Sequence, residues 1–243
     1  AKGYDVLVMD GQLDVHLASM LEQKNEKSRY VRVDSDTIDN IILKDNAATV
    51  ELTANEQNAL SSIFKAELPE DKDNNFWVSF AALDAESMPV MITQQEFMRR
   101  MKEMAATQGG MMSFYGQMPN SYNLVVNTNH ALIKRLMNNA QQSVGEKVAP
   151  IENEIAELRN IVDSINTANK DKKDDEIAET DKELIKNNND KIASLEKDKE
   201  ALYKDFAKGE DMVRQLVDLA LLANNMLKGE ALSNFVKRST QFI

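Results

Sequence analysis

The sequence of 243 residues predicts an α+β fold, and three observations lead to this prediction. The chain is poor in residues that interrupt helices, with 8 Gly and 4 Pro. Short apolar runs bounded by turn residues recur in its first half, as in strands. From about residue 146 onwards, apolar residues repeat at helical spacing instead. The predicted order is a small α/β segment, a mixed helix and sheet domain, a long inserted antiparallel helical hairpin and two closing helices.

The first 45 residues predict a strand, a helix and a second strand. Residues 4–9 are an apolar run that ends at Asp10-Gly11, which predicts a buried strand and a turn. Apolar residues at helical spacing over 13–21 predict a helix, and 29–33 predict the second strand. This piece is too short for a complete domain, and the chain opens without Met. We therefore expect an excised fragment, in which residues 1–45 end a preceding domain.

The second predicted domain is 46–243. It begins with a helix headed by Thr53, with Glu56 at the spacing of a capping box. Two strands, 76–80 and 90–92, are predicted to follow and to be joined by a turn.

A further helix and strand complete the predicted sheet region, which occupies about 54–138. Thr93 is predicted to cap a helix that runs to about residue 106. The next strand is predicted at 122–126, and Asn129 is predicted to cap the helix after it.

An insertion at about 139–206 reads as two antiparallel helices joined at a polar tip. Its stretch from 146 to 206 carries 11 basic and 17 acidic side chains, so it supplies much of the net charge of −11. Two runs of apolar residues repeat at heptad spacing, with Asn188 and Lys199 among them. These runs are Ile151, Ile155, Leu158, Val162 and Ile165, then Ile185, Ile192, Leu195, Leu202 and Phe206.

The segment 211–227 predicts the most apolar helix of the chain. One-sided burial needs an apolar stripe of about 100°, and this helix is apolar well beyond that width. The sequence therefore predicts that a second face is buried against something. Gly229 is predicted to end the helix, and a short amphipathic helix to close the chain.

Composition excludes several classes of function. The absence of Cys excludes disulfides and thiolate sites, and two His, His16 and His130, are too few for a His-rich metal site. A net charge of −11 disfavours broad binding to nucleic acid. The longest uncharged stretch, 104–133, is interrupted by polar residues, so no membrane span is predicted, and a cytoplasmic protein is expected.

No catalytic motif stands out. The sequence contains no Gly-x-Gly-x-x-Gly, P-loop, Gly-x-Ser-x-Gly or His-Glu-x-x-His pattern. Asp10 at the end of a predicted strand is the one candidate catalytic carboxylate, and partner residues for it are missing. We therefore predict no enzyme activity, no catalytic residue and no metal site in this chain.

The methionines indicate a binding surface. Eight of the 13 Met fall between residues 88 and 118. Met98, Met101 and Met104 recur every three residues on one side of a helix, with charged residues such as Arg99 on the other. Because Met is flexible and polarizable, such a surface adapts to differently shaped apolar partners, although Met also fills cores. The candidate set is Met98, Met101, Met104, Met111, Met112 and the nearby Phe114.

Several motifs resemble one chaperone family. They are 93–102 (TQQEFMRRMK), 122–136 (YNLVVNTNHALIKRL), 217–224 (VDLALLAN) and 235–239 (FVKRS). Together these segments resemble the C-terminal domain of the heat shock protein 90 family in its bacterial HtpG type. Residues 4–10 (YDVLVMD) and the helix after them resemble the end of that family's middle domain. The hairpin insertion is not part of the general family pattern.

The resemblance implies a homodimeric, ATP-dependent chaperone whose last two helices form a four-helix bundle with those of the partner. It also implies that unfolded client proteins bind the Met-rich helix. ATP and Mg would belong to domains of the full-length protein that are absent here, and the acidic tail that recruits tetratricopeptide co-chaperones is missing. The implied dimer residues are Leu216, Leu219, Ala220, Leu222, Ala223, Met226, Leu227, Leu232 and Phe235.

Two other functions stay open from the sequence. The chain could be an adaptor or scaffold protein whose coiled-coil hairpin binds a partner helix. It could also be an enzyme that uses Asp10.

Overall fold

The computed structural model describes residues 6–9, 11, 13–33, 50–108, 113–173 and 176–241. Over this part of the chain it contains eight helices and three strands, which confirms the predicted α+β class. In chain order the elements are α1 (Asp14–Lys24), α2 (Ala54–Lys65), β1 (Asn74–Ala81), β2 (Val90–Gln94), α3 (Glu96–Gln108), α4 (Ser113–Gln117), β3 (Asn120–Asn127), α5 (Ala131–Ala168), α6 (Glu179–Lys208), α7 (Asp211–Ala223) and α8 (Gly229–Gln241).

The chain divides into two compact units. Unit 1 takes its described residues from 1–48, 69–79 and 91–125, and unit 2 from 49–68, 80–90 and 126–243. The predicted domain boundary near residue 45 lies outside the described residues and stays a prediction.

The predicted strands at the start of unit 1 are wrong where the structure describes them. Residues 6–9 have no regular structure and expose their side chains, and 29–33 form no strand. At Tyr30, side chains form hydrogen bonds with the backbone N–H and C=O that pairing with a neighbouring strand would need. Its N–H donates to Glu22 at 2.7 Å, and its carbonyl accepts from Arg100. The apolar stripe predicted over 13–21 is mostly exposed, and the buried residue of α1 is Ala18, which is not part of that stripe.

The sheet has the order β1-β3-β2, so β3 is the central strand. Backbone hydrogen bonds from Asn120 to Asp73 and from Thr128 to Ala81 show that β3 runs parallel to β1. The bond from the Asn127 N–H to the Pro89 carbonyl joins the end of β3 to the start of β2, which is the antiparallel arrangement. The turn predicted between β1 and β2 therefore does not pair these two strands, because β3 lies between them. The most buried strand residues lie at the end of β3, which explains its central place.

Helix α2 begins as the sequence predicts. The Thr53 hydroxyl accepts from the Glu56 N–H, and the Glu56 carboxylate accepts from the Thr53 N–H at 2.8 Å, which completes the capping box. Its apolar stripe of Leu60, Ile63 and Phe64 is fully buried in unit 2.

Two predicted helix caps are wrong. Thr93 lies within β2 and its side chain is buried, whereas α3 begins only at Glu96. Asn129 does not cap α5, because its side chain donates to the Leu83 carbonyl at 3.0 Å. The cap is His130, whose Nδ1 accepts from the Leu132 N–H at 3.1 Å.

The hairpin is longer than predicted because α5 is continuous from the sheet region to the tip. Pro150 lies inside this helix of 38 residues. Helices α5 and α6 pack against each other, and Arg159 pairs with Glu196 across them at 3.0 Å. Lys199 of the predicted seam is buried and pairs with Glu196 at 2.9 Å. The base of the hairpin is anchored, because α2 packs against α6.

The last two helices meet at a turn that was not predicted. Helix α7 ends at Ala223, four residues before the predicted end. Asn225 then adopts a left-handed conformation with φ 55°, which Asn tolerates better than most residues. Gly229 has φ 58° and begins α8 instead of ending α7.

Candidate interaction surfaces

Helix α7 buries one side in unit 2 and leaves the other apolar side open. The buried side consists of Val213, Leu216, Val217, Ala220 and Leu221. On the opposite side Leu219 is 37% exposed, and Leu222 and Met212 are half-buried. A helix with apolar residues on both sides needs a partner for the second side, as the sequence predicts. Within the described part of the chain, that side is not fully covered.

Polar contacts hold α8 beside α7. The Gln215 amide donates to the Ser239 hydroxyl at 2.8 Å, and Arg238 donates to the Asp218 carboxylate. Phe235 of α8 is buried, whereas Val236, next to it, is exposed. These contacts fix the open side of α7 and the outer side of α8 relative to each other.

A further ion pair fixes α7 to the segment after α2. Arg214 donates through Nε to the Glu67 carboxylate at 2.7 Å, and the Glu67 side chain is buried. This hydrogen bond and the charge of Glu67 raise the pKa of Arg214 above its ordinary value. Polar contacts of Arg214, Gln215 and Asp218 thereby help to set the rotation of α7 about its axis.

The predicted dimer residues divide into two groups. Leu216, Ala220, Leu227 and Phe235 are buried within the chain itself. The accessible group is partly or fully exposed and consists of Leu219, Leu222, Ala223, Met226 and Leu232. Only the accessible group offers surface to a second molecule without rearrangement. Val236 was missed, although its place beside Phe235 in an amphipathic helix is visible in the sequence.

Charged side chains of α3 make polar contacts with other segments of unit 1. Arg100 donates to Glu22 at 2.9 Å, and Lys102 donates to the Asn120 side chain at 2.8 Å. The hydrogen bond from Arg100 is the main reason why the pKa of Glu22 is lowered. Arg99, predicted on the side of α3 opposite the methionines, is buried and pairs with Glu103 of the same helix at 2.5 Å. The charged side of α3 thus contacts other segments of unit 1 through Arg100 and Lys102.

The predicted client-binding residues are only partly described. Met98, Met101 and Met104 are half-buried on α3, and Met111 and Met112 lie outside the described residues. Phe114 of α4 is 65% exposed and packs edge-on against Tyr115.

Phe97 was missed in the prediction, and it is 64% exposed. The signal was present, since Phe97, Met101 and Met104 are spaced i, i+4, i+7 and therefore share one side of the helix. This exposed aromatic ring extends the apolar surface beyond the methionines.

The described residues give little support to a catalytic or metal-binding site. His130 is engaged as a helix cap, and Asp10 lies outside the part that the structure describes. No group of three or more His, Cys, Asp or Glu among the described residues is arranged to hold a metal ion. No helix among the described residues combines the length and the apolar character needed to cross a membrane.

Curated relatives match the whole chain. Chaperone protein HtpG of Bacteroides fragilis and that of Bacteroides thetaiotaomicron are each 48% identical over 242 residues, which is 100% of this chain and 35% of the relative. Chaperone protein HtpG of Porphyromonas gingivalis is 44% identical over the same length and share. No family model matches, and no solved structure matches.

The chain spans about a third of the length of these relatives, and the part it matches is C-terminal. The identity covers the hairpin as well as the motifs that the sequence analysis singled out, because the match extends over the whole chain. The chain is therefore a homologue of the C-terminal part of the HtpG chaperones, and the predicted resemblance to the heat shock protein 90 family is confirmed.

Proposed function

We propose that this chain is the dimerisation and client-binding part of an HtpG-type chaperone. The observation that carries the proposal is the open apolar side of α7, where Leu219 remains 37% exposed after α7 has packed in its own chain. Homology to the C-terminal part of HtpG chaperones supports the general role.

A second copy of the chain is the occupant that we propose for this side of α7. Around a twofold axis each subunit offers the same residues, so Leu219, Leu222 and Met226 of one subunit meet the same apolar surface of the other. Each such residue contributes about 1.5–3 kcal/mol when it is fully removed from water. Val236 extends the surface from α7 to α8, so that four helices are brought together.

The experiment is sedimentation velocity at micromolar concentration with the Leu219→Asp variant. We expect the unchanged chain to sediment as a dimer and the variant as a folded monomer, because each dimer would have to bury two carboxylates. Ser194→Asp, at an exposed position on α6, is the matched control and should remain dimeric. A dimeric Leu219→Asp variant would contradict the proposed interface.

The client-binding surface is proposed on the outer side of α3 and on α4. Phe97 and Phe114 are exposed aromatic rings, and the half-buried Met101 and Met104 lie on the same side of α3 as Phe97. Because the charged side of α3 is occupied by contacts within unit 1, the apolar side is the one available to a polypeptide. Unfolded chains offer apolar side chains that such a surface recognises.

Binding of a fluorescent, permanently unfolded polypeptide tests this surface. We expect Phe97→Ser together with Phe114→Ser to weaken binding about tenfold or more while the dimer stays intact. Trp77→Ser, which removes another exposed aromatic ring of unit 1, is the control and should bind as the unchanged chain does. Equal binding by both variants would show that the two Phe are not part of the surface.

The adaptor function is the second candidate, and the structure sharpens its test. The hairpin cannot be removed up to residue 206, because Tyr203 and Ala207 are buried at its base. Replacing 156–195 by a short Gly-rich turn would spare that base. The chaperone proposal predicts that this variant still forms dimers and still suppresses aggregation of an unfolded reporter protein, whereas an adaptor would lose its activity.

A further inference from the structure

The projecting part of the hairpin has two unlike flanks. On one, here called the apolar flank, Glu154 of α5 forms an ion pair with Lys191 of α6. On the other, the polar flank, Arg159 pairs with Glu196 at 3.0 Å.

Heptad spacing extends each flank toward the tip. One heptad beyond Glu154 lies Ile161, and one heptad beyond Lys191 lies Leu184. Since both steps lead toward the tip in an antiparallel hairpin, Ile161 and Leu184 share the apolar flank at the same level. They are 46% and 49% exposed, although large apolar side chains of a hairpin normally lie in its seam.

The polar flank shows no such pair. One heptad beyond Arg159 lies Asn166, and one heptad beyond Glu196 lies Asn189. Both Asn are exposed, as expected for a flank that faces solvent. The exposed apolar pair is therefore a property of one flank and not of the hairpin tip in general.

We propose that the apolar flank is a second contact between the two subunits of the dimer, so that the hairpins of both subunits run side by side. This inference rests on the dimer proposed above. Around a twofold axis parallel to the hairpin, α5 of one subunit faces α6 of the other, so Ile161 meets Leu184 twice.

Charge complementarity favours a second copy as the occupant. The same symmetry brings Glu154 of each subunit to Lys191 of the other, and Lys147 to Asp198 one heptad nearer the base. Each of these three levels thus offers opposite charges or apolar groups to its own copy, and none of the three sets like charges against each other.

The proposed contact between the flanks is small, and it can form because the dimer already holds the two subunits together. Two pairs of half-exposed side chains would not hold free molecules together, because association costs exceed the gain. Subunits already joined through α7 and α8 present the flanks to each other at a high effective concentration, on the order of millimolar. A weak flank contact then suffices to align the hairpins.

Site-specific cross-linking tests the alignment, since the chain contains no cysteine of its own. Asn187→Cys places a thiol on the apolar flank between Leu184 and Lys191, and Asn189→Cys places one on the polar flank as the matched control. With a short bismaleimide, applied at a concentration where sedimentation shows the dimer, we expect at least tenfold more covalent dimer from Asn187→Cys. Adding Ile161→Glu and Leu184→Glu should reduce that yield to the control level while the dimer persists.

The outcomes separate this inference from the proposed function. Equal or negligible cross-linking of both variants within an intact dimer would overturn the flank contact and leave the proposed dimer standing. Persistent cross-linking after Ile161→Glu and Leu184→Glu would also overturn it. A chain that is monomeric throughout would contradict the proposed dimer and the flank contact together.

Discussion

Helices α7 and α3 have the same length of 13 residues, but they are attached to the chain in opposite ways. Helix α7 packs through a fully apolar side, and its polar contacts come from Arg214, Gln215 and Asp218 on the rest of its surface. Helix α3 is attached through polar contacts of Arg100 and Lys102, and it turns an aromatic ring outward. Both helices keep apolar surface exposed, but different kinds of contact hold them in place.

The difference teaches how each surface is suited to its proposed partner. Apolar burial holds α7 firmly, so its open side keeps one shape, as the proposed contact with a second copy requires. Polar contacts depend on charge, on geometry and on exclusion of water, so α3 is expected to open locally at lower free energy than α7. A surface that adapts to many clients benefits from such an attachment.

The largest expected effect separates the two sides of α7. Val217 is fully buried and Leu219 is exposed, although they lie two residues apart. We expect Val217→Asp to prevent folding or to lower the free energy of unfolding by about 4 kcal/mol or more, since it buries an unpaired charge. Leu219→Asp should leave the circular dichroism of the folded chain unchanged. Similar unfolding of both variants would show that α7 has no open side.

An intermediate effect is expected on α3. Arg100→Met removes the donor to the Glu22 carboxylate and to the Tyr30 carbonyl. Hydrogen bonds to charged groups contribute about 1.5–3 kcal/mol, so the amides of α3 should exchange about ten- to a hundredfold faster. Hydrogen exchange followed by mass spectrometry measures this, with Lys65→Met on α2 as the control. Unchanged exchange in α3 would contradict its polar attachment.

The smallest effect is a pH dependence confined to α3. The pKa of Glu22 is lowered from its ordinary value of 4.5, chiefly by the hydrogen bond from Arg100. Its ionised form therefore stabilises the fold above about pH 4.5, and this stabilisation is lost as the pH falls through the lowered pKa. Exchange of the α3 amides, corrected for intrinsic rates, should accelerate at low pH in the unchanged chain. The Glu22→Gln variant should lack that acceleration, and an identical pH profile would contradict the assignment.

The sequence predicted the parts of the fold that depend on local spacing. The capping box at Thr53, the heptad seams of the hairpin and the doubly apolar α7 follow from patterns within a few turns of helix, and the structure contains them. The open side of α7 was predicted for the same reason, because an excess of apolar residues is visible without knowledge of the neighbours.

The features that depend on distant partners were not predictable. The order of the strands requires β3 to lie between β1 and β2, and no local pattern encodes that. Arg99 was predicted only to lie opposite the methionines, and its burial depends on neighbours that the local pattern does not show. Residues 29–33 have the composition of a strand, but Glu22 and Arg100 bind the backbone of Tyr30 instead. The split of the predicted dimer residues into buried and accessible groups likewise depended on packing.

Sedimentation equilibrium of the unchanged chain tests the central claim most directly. The account predicts a mass of twice the 27.4 kDa chain at micromolar concentration, with dissociation to single chains on sufficient dilution. A mass of 27.4 kDa at every concentration up to the millimolar range would contradict it, because the open side of α7 would then remain in water.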